Sequence, residues 1–166
     1  LDATLVAAPR QRNTEGERAA IKEGKSAADI WPDKPAKARQ KDVDGRWTVK
    51  HSKAKVRADG SKPIDIAIPV YGYKSHISID RMHGIVRRQG VTDAARHVGA
   101  RLREGLIQSA NTARDVWADS AYRSAENEAW LTDRGMTSRI HRKKPRGRAM
   151  PKRTSRANAA KSALRS

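Results

Sequence analysis

Asp115-Val116-Trp117-Ala118-Asp119-Ser120-Ala121-Tyr122 is the stretch whose reading decides the fold. A short apolar run with a β-branched residue and a tryptophan ends in an aspartate, and small residues and a tyrosine follow. This is the pattern of a buried strand that delivers a carboxylate to its own C-terminal end. Clefts at the carboxyl ends of strands are where α/β sheets usually place chemistry. Aspartate is also a common turn cap, so the octapeptide alone leaves both roles open for Asp119.

On the N-terminal side of this stretch, Thr92 is a good helix cap, and Asp93 places negative charge in the first turn. Ala95, Val98, Leu102 and Leu106 then recur at helical spacing, which predicts an amphipathic helix from Asp93 to about Gln108. Its other face carries Arg96, Arg101 and Arg103, and Asn111-Thr112 is a turn. On the C-terminal side, Ser124 caps a second helix with Glu126 and Glu128 near its start. Trp130 and Leu131 lie on its buried side, and Gly135 stands where a C-terminal glycine belongs. Thr137-Ser138-Arg139-Ile140-His141 reads as one more short strand. Arg142-Lys143-Lys144-Pro145-Arg146-Gly147-Arg148 is too basic and too rich in breakers to fold by itself. From Ser155 to Ser166 helical composition returns without a cap or breaker, as expected of a helix cut short.

Farther out, Leu1 to Pro9 reads as a short strand that Pro9 ends. Asp2 within it must lie at the surface or be employed. Residues 10–63 differ in kind. They are strongly basic, offer Ile30-Trp31 as one apolar anchor, and show strand character only at Trp47-Thr48-Val49. The expectation is an extended basic insertion, mostly loop and poorly ordered until bound. Ile64, Ile66, Ile68 and Val70 then alternate with Asp65, Ala67, Pro69 and Tyr71, a period-two strand face. Strand character continues to Asp80, with Pro69 and Gly72 marking a bulge or an edge. A turn at Arg81-Met82-His83-Gly84 leads to an antiparallel return over Ile85 to Val91.

The totals bound the function. The 166 residues suffice for one domain with a modest core. Lys and Arg number 36 against 18 Asp and Glu, a formal net charge of +18 that calls for a polyanionic partner, nucleic acid first. No Cys is present, which excludes disulfides and thiolate zinc sites. No stretch is apolar enough to span a bilayer, and neither a signal peptide nor a membrane-surface helix is recognisable. Leu1 is not an initiator methionine, so the chain is expected to begin inside a longer parent that is soluble and intracellular. The His residues lack metalloprotease spacing, and no phosphate loop or nucleophile elbow occurs. Two aspartates at strand positions in a basic chain remain. Paired carboxylates suit Mg²⁺, and two such ions roughly 3.5–4 Å apart can activate a nucleophile and stabilise a leaving oxygen at a phosphodiester.

Taken together, these pieces resemble the DDE transposases of bacterial insertion sequences, in the group named after insertion sequence five. The resembling segments are Asp2 to Pro9, Gln40 to Lys50, Tyr71 to Ile77, Asp80 with His83-Gly84, and Ala118 to Tyr122. They occur in the family's order across nearly the whole chain. The resemblance implies an α/β ribonuclease H-like fold, a mixed five-stranded sheet flanked by helices, here truncated before the end of the last helix. It implies that Asp2 and Asp119 are the first and second catalytic, metal-holding aspartates, with Mg²⁺ or Mn²⁺ as cofactor. The activity implied is cleavage at the transposon end and joining of the 3′-hydroxyl to target DNA. Lys74, His76, Asp80 and Tyr122 would support the carboxylates or contact DNA. Lys41, Arg46, Lys50, Lys53, Lys55, Arg142, Lys143 and Lys144 would bind its phosphates, making affinity salt-dependent.

The departures from the family matter as much. Its third acid, a Glu shortly after a run like Ala163-Leu164-Arg165-Ser166, lies beyond this sequence, and Glu126 and Glu128 are on the wrong helix to replace it. The helical domain that precedes the first aspartate in the family is likewise outside it. Residues 1–166 are therefore expected to be a partial catalytic domain, weak or inactive alone, since Mg²⁺ affinity depends on the number of its oxygen ligands. Its expected partners are duplex DNA, at transposon ends and target, and a second copy or a complementing fragment. The expected location is the bacterial cytoplasm at the nucleoid. The competing class is a non-enzymatic basic nucleic-acid-binding protein in which both aspartates are incidental.

Overall fold

The long strand predicted around residues 64–80 is present as Ala67–Ile79, and the other elements are arranged along it and around a second, smaller sheet. The computed structural model describes residues 1–52, 57–61, 64–107 and 114–165. In chain order the first elements are β1 (Asp2–Ala7), α1 (Glu15–Lys22), α2 (Ala27–Ile30), α3 (Pro35–Gln40), β2 (Arg46–His51), β3 (Ala67–Ile79) and β4 (Val86–Asp93). A 3₁₀ turn at Val98–Leu102 follows, then β5 (Asp115–Val116), a second 3₁₀ turn at Ser120–Tyr122, α4 (Ala125–Asp133), β6 (Thr137–Ser138) and α5 (Lys152–Arg165). Hydrogen bonds order three strands β1-β3-β2, with β4 also paired to β3, and β5 pairs with β6 in parallel. The described residues thus carry six strands in two sheets, where the resemblance implies one sheet of five. Among the described residues no helix is long and apolar enough to cross a membrane.

The chain divides into two compact units. Unit 1 comprises Leu1–Thr4, Ser75–Thr92 and Arg96–Ser166, and unit 2 comprises Leu5–Lys74 and Asp93–Ala95.

Unit 1 holds the larger core. Leu102, Leu106, Val116, Ala118, Tyr122, Leu131 and Ile140 are buried together, with Leu1, Val98, Ile107, Trp130 and Met136 packed at the edge. Burying a leucine such as Leu131 fully contributes about 2–3 kcal/mol. The β5–β6 pairing runs past its two-residue strands. Thr137 N donates to Arg114 O at 2.8 Å, Arg139 N to Val116 O at 2.8 Å and His141 N to Ala118 O at 3.1 Å. The predicted strand from Arg114 to Asp119 is therefore real as a hydrogen-bonded edge. Helix α4 starts and stops as its sequence directs: Ser124 Oγ accepts from Asn127 N, and Gly135 takes a left-handed φ of 62° just past the end. Asn127 is completely buried, and its Nδ2 donates to Gly99 O at 2.8 Å and Tyr122 O at 2.7 Å. Helix α5 begins before the expected Ser155, and the basic run ahead of it has no regular structure.

One predicted element is wrong. Residues 93 to 107 do not form an amphipathic helix. Thr92 and Asp93 end β4 instead of capping a helix, and only the 3₁₀ turn Val98–Leu102 interrupts the turns that follow. Leu102 and Leu106 are buried as the spacing requires, but Gly99 and Gly105 weaken a helix there. Gly105 has a φ of 108°, and the Gly99 carbonyl is engaged by Asn127. Tertiary hydrogen bonding overrides the period.

Unit 2 also departs from expectation, because much of the basic segment is helical. Thr14 and Glu17 form a reciprocal capping box on α1, and Ser26 and Asp29 form another on α2. Glu17 Oε1 then accepts from Trp31 Nε1 at 2.7 Å and from Lys37 Nζ at 2.5 Å, joining α1 to the α2–α3 segment around a Trp31 ring that is 5% exposed. Those two donors, Lys37 first and Trp31 second, lower the Glu17 carboxyl to a pKa of about 2. Next to β2, the Tyr71 hydroxyl donates to Asp42 O at 3.1 Å and the Tyr73 hydroxyl to Asp42 Oδ1 at 2.6 Å. Strand β2 pairs antiparallel with β3, Trp47 opposite Tyr71 through His51 opposite Ala67. Of the alternating residues predicted to form a strand face, Ile68 and Val70 lie in β3, whereas Ile64 and Ile66 precede it and are 90% and 67% exposed.

Candidate active site

Asp119 occupies both roles that its sequence context leaves open. It follows the β5 edge, and its Oδ1 accepts from Ala121 N at 2.8 Å, capping the 3₁₀ turn Ser120–Tyr122. Its side of the turn is held by Tyr122, whose ring is fully buried in the core. Tyr122 therefore anchors the turn in the core and offers no surface to DNA.

Asp2 opens β1 and is exposed, with its Oδ1 accepting from the amide of Ala3 at 2.9 Å. The neighbouring Leu1 N donates to Trp117 O at 2.7 Å. Asp2 is one residue past that bond on its strand, and Asp119 two residues past it on the other. The contact of the terminal Leu1 nitrogen with the Trp117 carbonyl thus joins the segments that carry the two predicted carboxylates, both within unit 1. Each carboxylate uses a single oxygen in its local bond, so each retains an oxygen without a hydrogen-bond partner among the described residues. Among the described residues no group of three His, Asp or Glu gathers as a metal set.

The remaining predicted residues separate by what they touch. His76, on β3, is fully buried, and its Nε2 lies 2.9 Å from Thr92 Oγ1 on β4, so it secures the strand pair. Asp80 caps the β3–β4 turn, accepting from Met82 N at 2.9 Å and His83 N at 3.1 Å. These amide bonds, that of His83 first, hold its carboxyl below the usual range. Lys74 lies in unit 2, where burial lowers its ammonium pKa and Asp93 opposes the shift.

The predicted DNA-binding cations also divide. Lys41 Nζ donates to Arg12 O at 2.7 Å and to Asn13 Oδ1 at 2.8 Å. Arg46 Nη1 reaches Val43 O at 2.7 Å and Gly45 O at 2.9 Å. Both are structural clamps. Lys50, Arg142, Lys143 and Lys144 are exposed. Lys53 and Lys55 lie outside the described residues.

Three cations of unit 1 make contacts that have no mark in the sequence. Arg81 stacks its guanidinium over the Trp117 ring at 5.0 Å, on the residue whose carbonyl holds Leu1. Arg123 ends the 3₁₀ turn that Asp119 begins, and its Nη1 donates to Ile140 O at 3.2 Å. Lys161 of α5 donates to that same oxygen at 3.1 Å. Only folding brings these residues together. Glu128, on the helix that the sequence already excludes as the source of a third acid, is occupied: it pairs with Arg123 at 3.2 Å and accepts from the Ser138 hydroxyl at 2.8 Å.

No curated protein and no solved structure matches the chain. The family model for the transposase DDE domain matches residues 1–166, the whole sequence. The chain belongs to the transposase DDE domain family.

Proposed function

We propose that this chain is part of an insertion-sequence transposase catalytic domain, of the group named after insertion sequence five, in which Asp2 and Asp119 form a carboxylate pair for DNA strand cleavage and transfer. The observation that carries this reading is the Leu1–Trp117 bond, which draws the starts of both candidate positions together. In the ribonuclease H-like fold that the resemblance implies, β1 and the β5 edge would supply one acid each.

The donor set suits a divalent ion. Asp2 and Asp119 each keep a carboxylate oxygen outside their local bonds, and hard oxygen donors with room for water suit Mg²⁺ or Mn²⁺. When bound, such an ion would polarise the attacking water or 3′-hydroxyl and stabilise the leaving oxygen. The chain's own residues do the remaining work. Asp119 is fixed by its turn, Tyr122 anchors that turn in the core, and His76 ties β3 to β4. The exposed Lys50, Arg142, Lys143 and Lys144 attract duplex DNA, both transposon end and target. A third oxygen donor is needed from outside the described residues, supplied by a continuation of α5, a second copy or a complementing fragment. The 166 residues alone are accordingly weak or inactive. A DNA substrate of this kind puts the working protein in the bacterial cytoplasm, at the nucleoid.

The test is nicking of supercoiled plasmid and end-labelled duplex in Mn²⁺, with wild type, Asp119→Ala and a chain extended past α5 through a glutamate. Metal-dependent cleavage that needs Asp119 and rises with the extension supports the reading. Silence from the wild-type and extended chains, with salt-sensitive DNA binding retained, rejects it in favour of a non-enzymatic DNA binder.

A further inference from the structure

Helix α5 is attached to unit 1 in an unusual way. No described residue of the helix is buried, and its attachments are polar. Asn158 accepts from Arg142 N at 3.0 Å and donates back to Arg142 O at 3.0 Å, and Lys161 Nζ reaches Ile140 O at 3.1 Å. A helix held this way lacks the apolar burial that supplies most helical stability in proteins.

The attachment also gathers like charge. Arg123 Nη1 and Lys161 Nζ converge on the one carbonyl of Ile140, and Arg142 and Arg139 flank it in sequence. Arg139 is paired with Asp115 at 3.3 Å, and Arg123 with Glu128 at 3.2 Å. Neither Lys161 nor Arg142 has an ion-pair partner among the described residues. Burial first, and then the charges of Arg123, Arg142 and Arg139, lower the Lys161 pKa, with Glu128 alone opposing them. Docking α5 therefore concentrates positive charge that the protein does not neutralise. A phosphate could relieve this, because its oxygens can accept from Lys161 and the arginines together.

The geometry points to a phosphodiester site formed by Arg123, Arg142 and Lys161, at which a DNA backbone phosphate locks α5 against unit 1. The site lies next to the candidate carboxylate. Arg123 and Asp119 bound the same 3₁₀ turn, so their Cα atoms are roughly 8 Å apart at about 2 Å of rise per residue. DNA held there is presented to Asp119, and the docking of α5 becomes conditional on substrate. This inference rests on the proposed DNA-binding function, and it adds a specific phosphate contact and a moving part.

The experiment is hydrogen exchange of the full 166-residue chain across residues 152–165, alone, with a short duplex, and with inorganic phosphate. It is paired with duplex affinity by fluorescence anisotropy at several salt concentrations. The variants are Lys161→Met, Lys161→Arg, and Lys143→Gln as an exposed-cation control. The expected result is that duplex slows exchange in α5 by tenfold or more in wild type, Lys161→Arg and Lys143→Gln, but not in Lys161→Met. Lys161→Met and Lys143→Gln should each lower the salt slope of binding by about 1, as the loss of one phosphate contact requires. If Lys161→Met fails to fold, as circular dichroism would reveal, Arg123→Gln takes its place with the same expectation. Equal duplex-induced protection in wild type and Lys161→Met, with DNA binding intact, overturns the α5 lock and leaves the DNA-binding function standing. Full protection by millimolar inorganic phosphate without DNA overturns the assignment to a DNA backbone. Absence of any duplex binding overturns the site and the proposed function together.

Discussion

Gly72→Ala is the substitution that most directly tests how β1 is held. Gly72 sits in β3 at a φ of 147°, a backbone conformation that L side chains rarely adopt. A Cβ at this position would overlap the Val6 carbonyl oxygen and stand 2.8 Å from Ala8 N and 3.1 Å from the Ala7 Cα. All three are backbone atoms of the strand alongside, so no side-chain rotation can clear them. Relief requires moving residues 6–8 away from β3, which breaks the 2.9 Å bond from Ala8 N to Tyr71 O. The conformational strain and the overpacking together cost about 4 kcal/mol. For a chain of this length that lowers Tm by about 10 °C. The control is Gly90→Ala, in β4, where a Cβ meets nothing within 4 Å and φ is not positive; it should leave Tm within about 2 °C. Thermal unfolding by circular dichroism reads both. If Gly72→Ala melts within about 2 °C of wild type, the close β1–β3 approach does not exist in solution and the reasoning fails.

Other expectations follow from single contacts. Asn127→Ala removes the buried donor shared by Gly99 and Tyr122 and should cost about 2–3 kcal/mol in urea unfolding, with loss of the 3₁₀ turn next to Asp119. Leu131→Ala, at a fully buried site, should cost about 2–5 kcal/mol in the same assay. Glu17 carries a carboxyl lowered from 4.5 to about 2, so its contribution to stability is complete above pH 4.5 and is lost as pH falls through about 2. Wild type and Glu17→Gln should therefore differ in urea midpoint at pH 6, and the gap should close toward pH 2. Lys50→Gln should lower the salt slope of duplex binding by about 1, whereas Lys41→Gln, whose ammonium is engaged by Arg12 and Asn13, should leave it unchanged.

Much of this fold is legible in residue order because local chemistry and tertiary need agree. Ser124 and Gly135 bound α4 as their side chains and backbone preferences dictate. The alternation from Ile64 onward marks β3, and Pro9 ends the first strand region. Residues 93–107 are the opposite case. Leucine spacing there satisfies a helix and a set of turns equally well, and the choice is made by Asn127, some thirty positions away. The helices of unit 2 carried a local signal in Thr14 with Glu17 and Ser26 with Asp29, which the density of charge around them obscured. At the candidate site, Asp2 and Asp119 stand out as carboxylates at strand ends. Arg81, Arg123 and Lys161 do not, because a cation over a ring or on a distant carbonyl has no spacing rule.

The double grip on Asp42 has an evolutionary consequence. Two phenol hydroxyls hold this residue, and Ala8 is bonded to Tyr71, so the chain between them leaves β3 and returns to it at fixed points. Between these points the segment also touches β2, through Arg10 over the Trp47 ring at 5.5 Å and Ile21 O, which accepts from Arg46 Nη2 at 3.4 Å. Gly24, with a left-handed φ of 84° and open space around it, is a position where extra residues would disturb neither anchor. Lengthening a closed loop costs only about 0.6 kcal/mol per doubling. The segment between β1 and β2 can thus lengthen at Gly24 while the anchor points on β3 stay where they are.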